Sequence, residues 1–309
     1  MRRLIFVLTM AGSVFAQSVP VMGWVEAGGQ LRPLTGLPGS TRAGAPVAAA
    51  ERALVSPGGQ AALIELDGTA RLVDLSDGQV RLTLELAAPP RLAAFASDGS
   101  AGALLMGSRL ELYTGLPSKP VRLWQREVNG VTAVAVSAGG RRVAVWADEG
   151  VQLVAADSAT GLYAKAGVGS LRWAGENSLV IFDRDAGRVM MLDQVESPAP
   201  RLLLESVVLD GEVSADGRRL FVAVAQAVAQ AVAQDAPQDA GAKLTTIELA
   251  TGQVMSETSV AVAQIEFRRL GRGDLFLLAA PRDDGPGWML DGAAGRVTFL
   301  PALRVVEEQ

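Results

Sequence analysis

The chain has 309 residues, with 28 Lys and Arg against 33 Asp and Glu, and a formal net charge of −5. It contains neither cysteine nor histidine, which excludes disulfides, Cys- or His-ligated zinc sites, Ser-His-Asp triads and Cys-His nucleophiles. Because no Lys/Arg cluster remains beyond the first residues, we expect neither nucleic acid nor an anionic membrane surface as a partner.

Residues 1–16 have the pattern of a secretory signal peptide. Arg2 and Arg3 precede the apolar run 4–10, and the segment ends on Ser13-Val14-Phe15-Ala16, so we expect cleavage after Ala16. An ordinary buried first helix is disfavoured by the break at Pro20. The two arginines leave with the signal peptide, which takes the net charge from −5 to −7. We therefore expect an exported protein, periplasmic or extracellular, without a transmembrane segment after cleavage.

An alternating apolar run, a short turn and a second apolar run recur along the rest of the chain. The copies are centred on Ser56, Ser97, Ser137, Ala174, Ser214 and Leu270. The intervals between these anchors are 41, 40, 37, 40 and 56 residues. Alternation at period two with Gly-containing turns indicates antiparallel hairpins.

A second hairpin follows each first one, with turns that end on Gly78, Gly161, Gly252 and Gly295. Four strands in about forty residues make one blade of a β-propeller, so residues 17–309 predict a single all-β domain of about seven blades. We expect the hairpin at 21–34 and a strand at 302–307 to form a composite blade that closes the ring. The alternative is six blades with an appended N-terminal hairpin.

The turns carry a family resemblance. Ser56-Pro-Gly-Gly, Ser97-Asp-Gly-Ser and Ser214-Ala-Asp-Gly, with outer turns such as Asp157-Ser-Ala-Thr-Gly, resemble those of the WD-repeat-like and TolB-like β-propeller superfamily over residues 20–302. No blade carries a Trp-Asp dipeptide. The resemblance implies the fold, and the superfamily includes scaffolds, binding proteins and enzymes.

The long interval before Leu270 contains a low-complexity insertion at about 223–242. It repeats Ala-Val-Ala-Gln three times and continues through Pro237. One interpretation is a lengthened hairpin that protrudes from the ring. The other is a flap over one face, which could be helical because Val224, Val228 and Val232 share a helix face. The sequence leaves both open.

Without His or Cys, any acid-base chemistry would fall to Asp, Glu, Lys or Tyr. The polar residues near the starts of the predicted innermost strands are Glu51, Arg91, Thr132, Ser170, Glu212 and Glu266. We take Glu51, Arg91, Glu212 and Glu266 as candidate binding residues at the channel mouth. We expect no metal, because the acidic pair Asp283-Asp284 is typical of a turn, and no cofactor, because no P-loop or Gly-x-Gly-x-x-Gly motif occurs. The five tryptophans are expected to pack between blades.

The pattern favours a non-enzymatic recognition or scaffold propeller that engages a protein or peptide, and we expect a monomer. One alternative is an exported hydrolase or lyase that uses Glu212 and Glu266 as acid and base. Another is a propeller that binds a small ligand at the channel mouth, although Tyr113 and Tyr163 are the only tyrosines.

Overall fold

A computed structural model of the chain shows seven antiparallel sheets, each of four strands. It describes residues 21–36, 41–75, 81–86, 89–164, 167, 169–226, 241–261, 265–270, 273–279 and 287–300. Six sheets each use four consecutive strands in chain order. Seven blades are therefore confirmed, and the alternative of six blades plus a hairpin is wrong.

The strands of the first four blades are β1 Val21–Ala27, β2 Gln30–Thr35, β3 Arg42–Ala43 and β4 Ala48–Ala49; β5 Arg52–Val55, β6 Ala61–Leu66, β7 Thr69–Asp74 and β8 Arg81–Leu86; β9 Leu92–Phe95, β10 Ala101–Met106, β11 Arg109–Thr114 and β12 Val121–Glu127; and β13 Ala133–Val136, β14 Val143–Ala147, β15 Gly150–Val154 and β16 Ala159–Tyr163. Those of the last three blades are β17 Gly169–Ala174, β18 Ser178–Asp183, β19 Arg188–Leu192 and β20 Pro200–Glu205; β21 Val208–Val213, β22 Arg219–Ala225, β23 Ala242–Glu248 and β24 Gln253–Val260; and β25 Arg268–Arg269, β26 Leu275–Ala279, β27 Gly287–Asp291 and β28 Arg296–Leu300. A 3₁₀ turn spans Ala138–Gly140.

The first blade departs from the others. Both β3 and β4 pair with β2, one after the other along the same edge, while β1 pairs with the opposite edge. The predicted closing strand at 302–307 lies outside the described residues, as does the insertion between 226 and 241. What the structure describes of that insertion is its base, where Ala225 pairs with Ala242 and the Gln226 N–H donates to the Gly241 carbonyl at 3.1 Å.

Among the described residues, the hydrophobic core forms seven clusters, each shared by two neighbouring blades. The cluster that closes the ring joins Val25 and Leu34 of the first blade to Leu277, Met289 and Leu300 of the last. Burial of apolar surface contributes about 25 cal/mol per Å². The ring is therefore held by packing between the faces of the blades.

The serine anchors confirm the repeat at the level of single atoms. Ser56, Ser137 and Ser214 are buried, and each follows the first strand of its blade. The Ser56 Oγ accepts the Ala61 N–H at 3.0 Å, and the Ser137 Oγ accepts the Arg142 N–H at 3.1 Å. The hydroxyl thus fixes the turn between the first and second strands, because it pairs a backbone donor that would otherwise be buried alone.

The tryptophans pack between blades, as expected. Trp146 and Trp173 lie in the cluster shared by the fourth and fifth blades. The Trp173 Nε1–H donates to the Ala135 carbonyl of the fourth blade, and the Trp24 Nε1–H donates to the Gly59 carbonyl of the second. Buried indole N–H groups need such acceptors, so these rings tie adjacent blades together.

Candidate functional site

The centre of the candidate site is Glu212, on the innermost strand of the sixth blade. Its Oε2 accepts a hydrogen bond from the Arg172 Nε of the fifth blade at 2.8 Å. Its Oε1 lies 3.7 Å from the guanidinium of Arg269 in the seventh blade and accepts the Val213 N–H at 3.1 Å. One carboxylate therefore joins three consecutive blades.

Asp210 precedes Glu212 by two residues and is 4% exposed. Its Oδ2 accepts the Phe267 N–H at 2.8 Å, and its Oδ1 lies 3.8 Å from Arg172 and 3.6 Å from Arg184. Burial raises the pKa of Asp210, against the opposing effects of Arg172 and of the Phe267 N–H. Burial alone would lower the pKa of Arg172, but Glu212 and Asp210 outweigh it and the pKa is raised. The arginine therefore stays charged.

Asp274 extends this network of ion pairs toward the turns that follow the innermost strands. Its Oδ2 accepts a hydrogen bond from Arg219 at 2.7 Å, and its Oδ1 accepts the Ala215 N–H at 2.7 Å. Oδ1 also lies 3.6 Å from Arg269. Asp274 thus fixes the first turn of the sixth blade against that of the seventh.

Arg269 has little capacity left for a ligand. Its side chain is 8% exposed, and its guanidinium lies 4.9 Å from the centre of the Phe276 ring. It donates to the carbonyls of Gly273, at 2.7 Å, and of Val213. Together with Glu212 and Asp274, these contacts neutralise the charge and use the donors.

A cavity of about 310 Å³ lies beside Arg269. Most of its lining comes from the turns between the first and second strands of the second, third, sixth and seventh blades. The lining residues are Pro57, Gly58, Gln60, Ser97, Asp98, Ala215, Arg269 and Gly273. Because these blades lie on both sides of the ring, we place the cavity at the mouth of the central channel.

The polar side chains that line the cavity differ in how many hydrogen bonds they already make. The side chains of Gln60 and Ser97 make no hydrogen bond within the part of the chain that the structure describes. Asp98 is exposed, and its Oδ1 accepts the Ser100 N–H at 3.0 Å and the Ser100 hydroxyl at 2.8 Å. Its Oδ2 accepts the Gly139 N–H of the fourth blade at 2.9 Å. Asp98 is thus a carboxylate held in place by neutral donors.

Of the four predicted site residues, Glu212 and Glu266 share one partner, because the charges of both act on Arg172. Glu51, Arg91 and Glu266 are exposed and precede the innermost strands of their blades, whereas Glu212 lies near the end of its strand. Within the described ranges, no hydrogen bond or ion pair joins any two of these four. Glu266 pairs with Arg268 at 3.0 Å, and the Glu51 Oε1 accepts the Asp67 N–H at 3.4 Å.

The arginines that face Glu212 were not among the predicted site residues. Arg172 and Glu212 each lie two residues before the anchor of their blade, Ala174 and Ser214. Equal offsets in neighbouring blades place side chains at the same level of the ring. The opposite charges of Arg172 and Glu212 at the same offset could therefore have predicted the ion pair. Arg269 and Asp274 have no such regular offset.

The described residues contain no group of three or more Asp and Glu side chains that could hold a metal ion. They also contain no helix that is long and apolar enough to span a membrane.

Comparison with known proteins supports the fold. No protein-family model matches the sequence, and a search of curated proteins finds no significant relative. A protein of unknown function from Desulfotomaculum acetoxidans is similar in structure, with a TM-score of 0.58 and 10% identity over 91% of this chain and 95% of that one. A Bacteroides fragilis protein with a proposed 6-phosphogluconolactonase activity has a TM-score of 0.55 and 11% identity, over 90% and 92% of the two chains.

The C-terminal WD40 domain of Sif2 has a TM-score of 0.50 and 14% identity, over 83% of this chain and 86% of that domain. Significant structural matches extend to 1014 chains, so the fold by itself does not select a function. The resemblance to WD-repeat-like propellers that the turns predict is thus confirmed as a resemblance of fold: the chain is a seven-bladed β-propeller.

Proposed function

We propose that this propeller is a non-enzymatic recognition or scaffold protein that engages a protein or peptide outside the cytoplasm. The observation that supports it most directly is the ion pairing of Glu212. A general acid or base must be free to exchange a proton with substrate, whereas both oxygens of Glu212 face guanidinium groups. Glu266, the second candidate, is paired with Arg268.

The surface is consistent with recognition through loops on a rigid disc. Loops carry binding function when a scaffold fixes their ends, and here paired strands and buried serines fix the ends of the turns. Val207, in the loop between the fifth and sixth blades, is 64% exposed. The exposed Arg141 lies in the first turn of the fourth blade, on the opposite face.

The test is site-specific photocrosslinking of the full chain in the cell that produces it. A benzophenone side chain at position 207 or 141 samples the two loop faces. The same group at Leu123 or Met255, which are 57% and 58% exposed on outer strands, is the control. We expect one protein, identified by mass spectrometry, to crosslink from a loop face and not from the outer strands. Absence of any product from both faces would contradict the proposal.

Catalysis and export need separate measurements. If the chain is a scaffold, Glu266→Gln leaves capture of the partner unchanged, and so does Glu212→Gln at a temperature at which circular dichroism shows the variant to be folded. A hydrolase or lyase activity of the unmodified chain that both substitutions abolish would favour the enzyme. Export through the predicted signal peptide requires that the mature chain begin at Gln17, which the intact mass of the exported protein checks.

A further inference from the structure

The cavity at the channel mouth, whose eight lining residues were given above, offers one charged group to a ligand. The positive charge of Arg269 is taken up by Glu212 and Asp274. Asp98, in contrast, has no cationic partner in the described structure, and the three donors on its oxygens are neutral. Among the lining residues that the structure describes, the charge left accessible to a ligand is therefore negative.

The neutral lining fits the same kind of ligand. The Gln60 amide oxygen and the Ser97 hydroxyl are acceptors without partners in the described part of the chain, so both are available to N–H donors. Pro57, Gly58 and Ala215 present apolar or bare backbone surface, against which methylene groups can pack. An acceptor-rich pocket with an apolar wall matches an aliphatic chain that ends in a cation.

The cavity is large enough to hold one long side chain. At about 310 Å³ it lies at the lower end of the 300–1,000 Å³ that is typical of ligand pockets. We propose that it binds the ammonium or guanidinium group of a Lys or Arg side chain presented by a peptide segment of the partner. This inference rests on the proposed function, for which it names the chemistry of recognition.

Five-residue peptides provide the probe. The peptide acetyl-Gly-Gly-Lys-Gly-Gly-amide and its Arg counterpart are titrated into the full chain by calorimetry at low ionic strength. Peptides with norleucine or Glu at the central position are compared with them. Norleucine keeps the aliphatic chain and removes the charge, so we expect it to bind at least about tenfold more weakly, as for loss of a charge-assisted hydrogen bond.

Two variants and one control locate the binding. Asp98→Asn removes the charge and keeps an acceptor for the neighbouring N–H groups, so we expect about a tenfold loss. Gly58→Leu fills the mouth without backbone strain, because a Cβ there meets only the flexible Gln60 side chain at 3.9 Å, and we expect binding to disappear. Glu176→Gln makes the same charge change in the first turn of the fifth blade, outside the cavity, and should bind like the unmodified chain.

The outcomes separate this inference from the proposed function. The cavity assignment is overturned if the Lys and Arg peptides do not bind to the unmodified chain. It is also overturned if they bind to Asp98→Asn and Gly58→Leu as tightly as to the unmodified chain. If a crosslinked partner is still captured by both variants, recognition stands and uses another surface. If the cationic peptides bind as expected and no protein partner is captured, the cavity chemistry stands and the recognition function fails.

Discussion

A substitution at Arg269 tests how much the ion-pair network between the blades contributes to stability. In Arg269→Met the guanidinium is lost while much of the aliphatic length remains. Two charged hydrogen bonds to the carbonyls of Gly273 and Val213 disappear, each with a net contribution of about 1.5–3 kcal/mol. Glu212 keeps Arg172, and Asp274 keeps Arg219, so neither carboxylate is left without a cation.

The expected loss in the free energy of unfolding is about 3–6 kcal/mol, which is the sum of the two charged hydrogen bonds that are lost. It corresponds to a fall in Tm of roughly 5–15 °C. The assay is equilibrium unfolding in urea, followed by tryptophan fluorescence. Arg52→Met is the matched control, because the Arg52 side chain is 77% exposed in its ion pair with Glu65 and such pairs contribute less than about 1 kcal/mol.

A double-mutant cycle of Arg269→Met with Glu212→Gln isolates the pair. Residues in direct contact typically show a coupling free energy of about 0.5–3 kcal/mol. The reasoning fails if the unfolding free energies of Arg269→Met and of the Arg52 control differ by less than about 1 kcal/mol. It also fails if the cycle shows no coupling, because the buried ion-pair network then does not hold the three blades together.

Two further predictions concern the third blade and the contact between the fourth and fifth. Burial and a hydrogen bond to Glu111 raise the pKa of Tyr113 to about 12. Its contribution to stability is therefore present below pH 10 and lost as the pH rises from about 10 to 12; Tyr113→Phe should flatten this part of the curve of unfolding free energy against pH, and an unchanged slope would count against the burial. Gly169→Ala places a Cβ 2.0 Å from a backbone carbonyl and 2.5 Å from Trp146, whereas a Cβ on Gly161 meets nothing within 4 Å. We expect thermal unfolding to show a loss of at least about 1 kcal/mol for Gly169→Ala and a change within about 0.5 kcal/mol for Gly161→Ala; equal effects would show that the contact is misplaced.

The sequence predicted the blades well because each blade is local. Among the described strands, every pair except β2–β4 joins neighbours along the chain, and the Ser56 hydroxyl accepts the N–H of a residue five positions later, so periodicity and turn chemistry contain the information. Composition likewise restricted the chemistry, since a chain without Cys or His leaves few catalytic groups.

The site was predicted less well because it is assembled across blades. Glu212 was identified as a polar residue near a strand start, but it lies near the strand end, and its partners Arg172 and Arg269 are 40 and 57 residues away in sequence. Whether a polar residue on an inner strand is free or paired depends on its level in the ring and on the neighbouring blades. A period measured along the chain does not contain that information.

The closed base of the insertion has a consequence for engineering. The Gln226–Gly241 hydrogen bond brings the outgoing and returning chain together at the rim of one blade, beyond the last pair of the β22–β23 ladder. Sites with adjacent ends outside the core tolerate inserted sequence best. A reporter domain whose own termini lie close together could therefore replace residues 227–240, so that the disc would carry a cargo without a linker at either terminus.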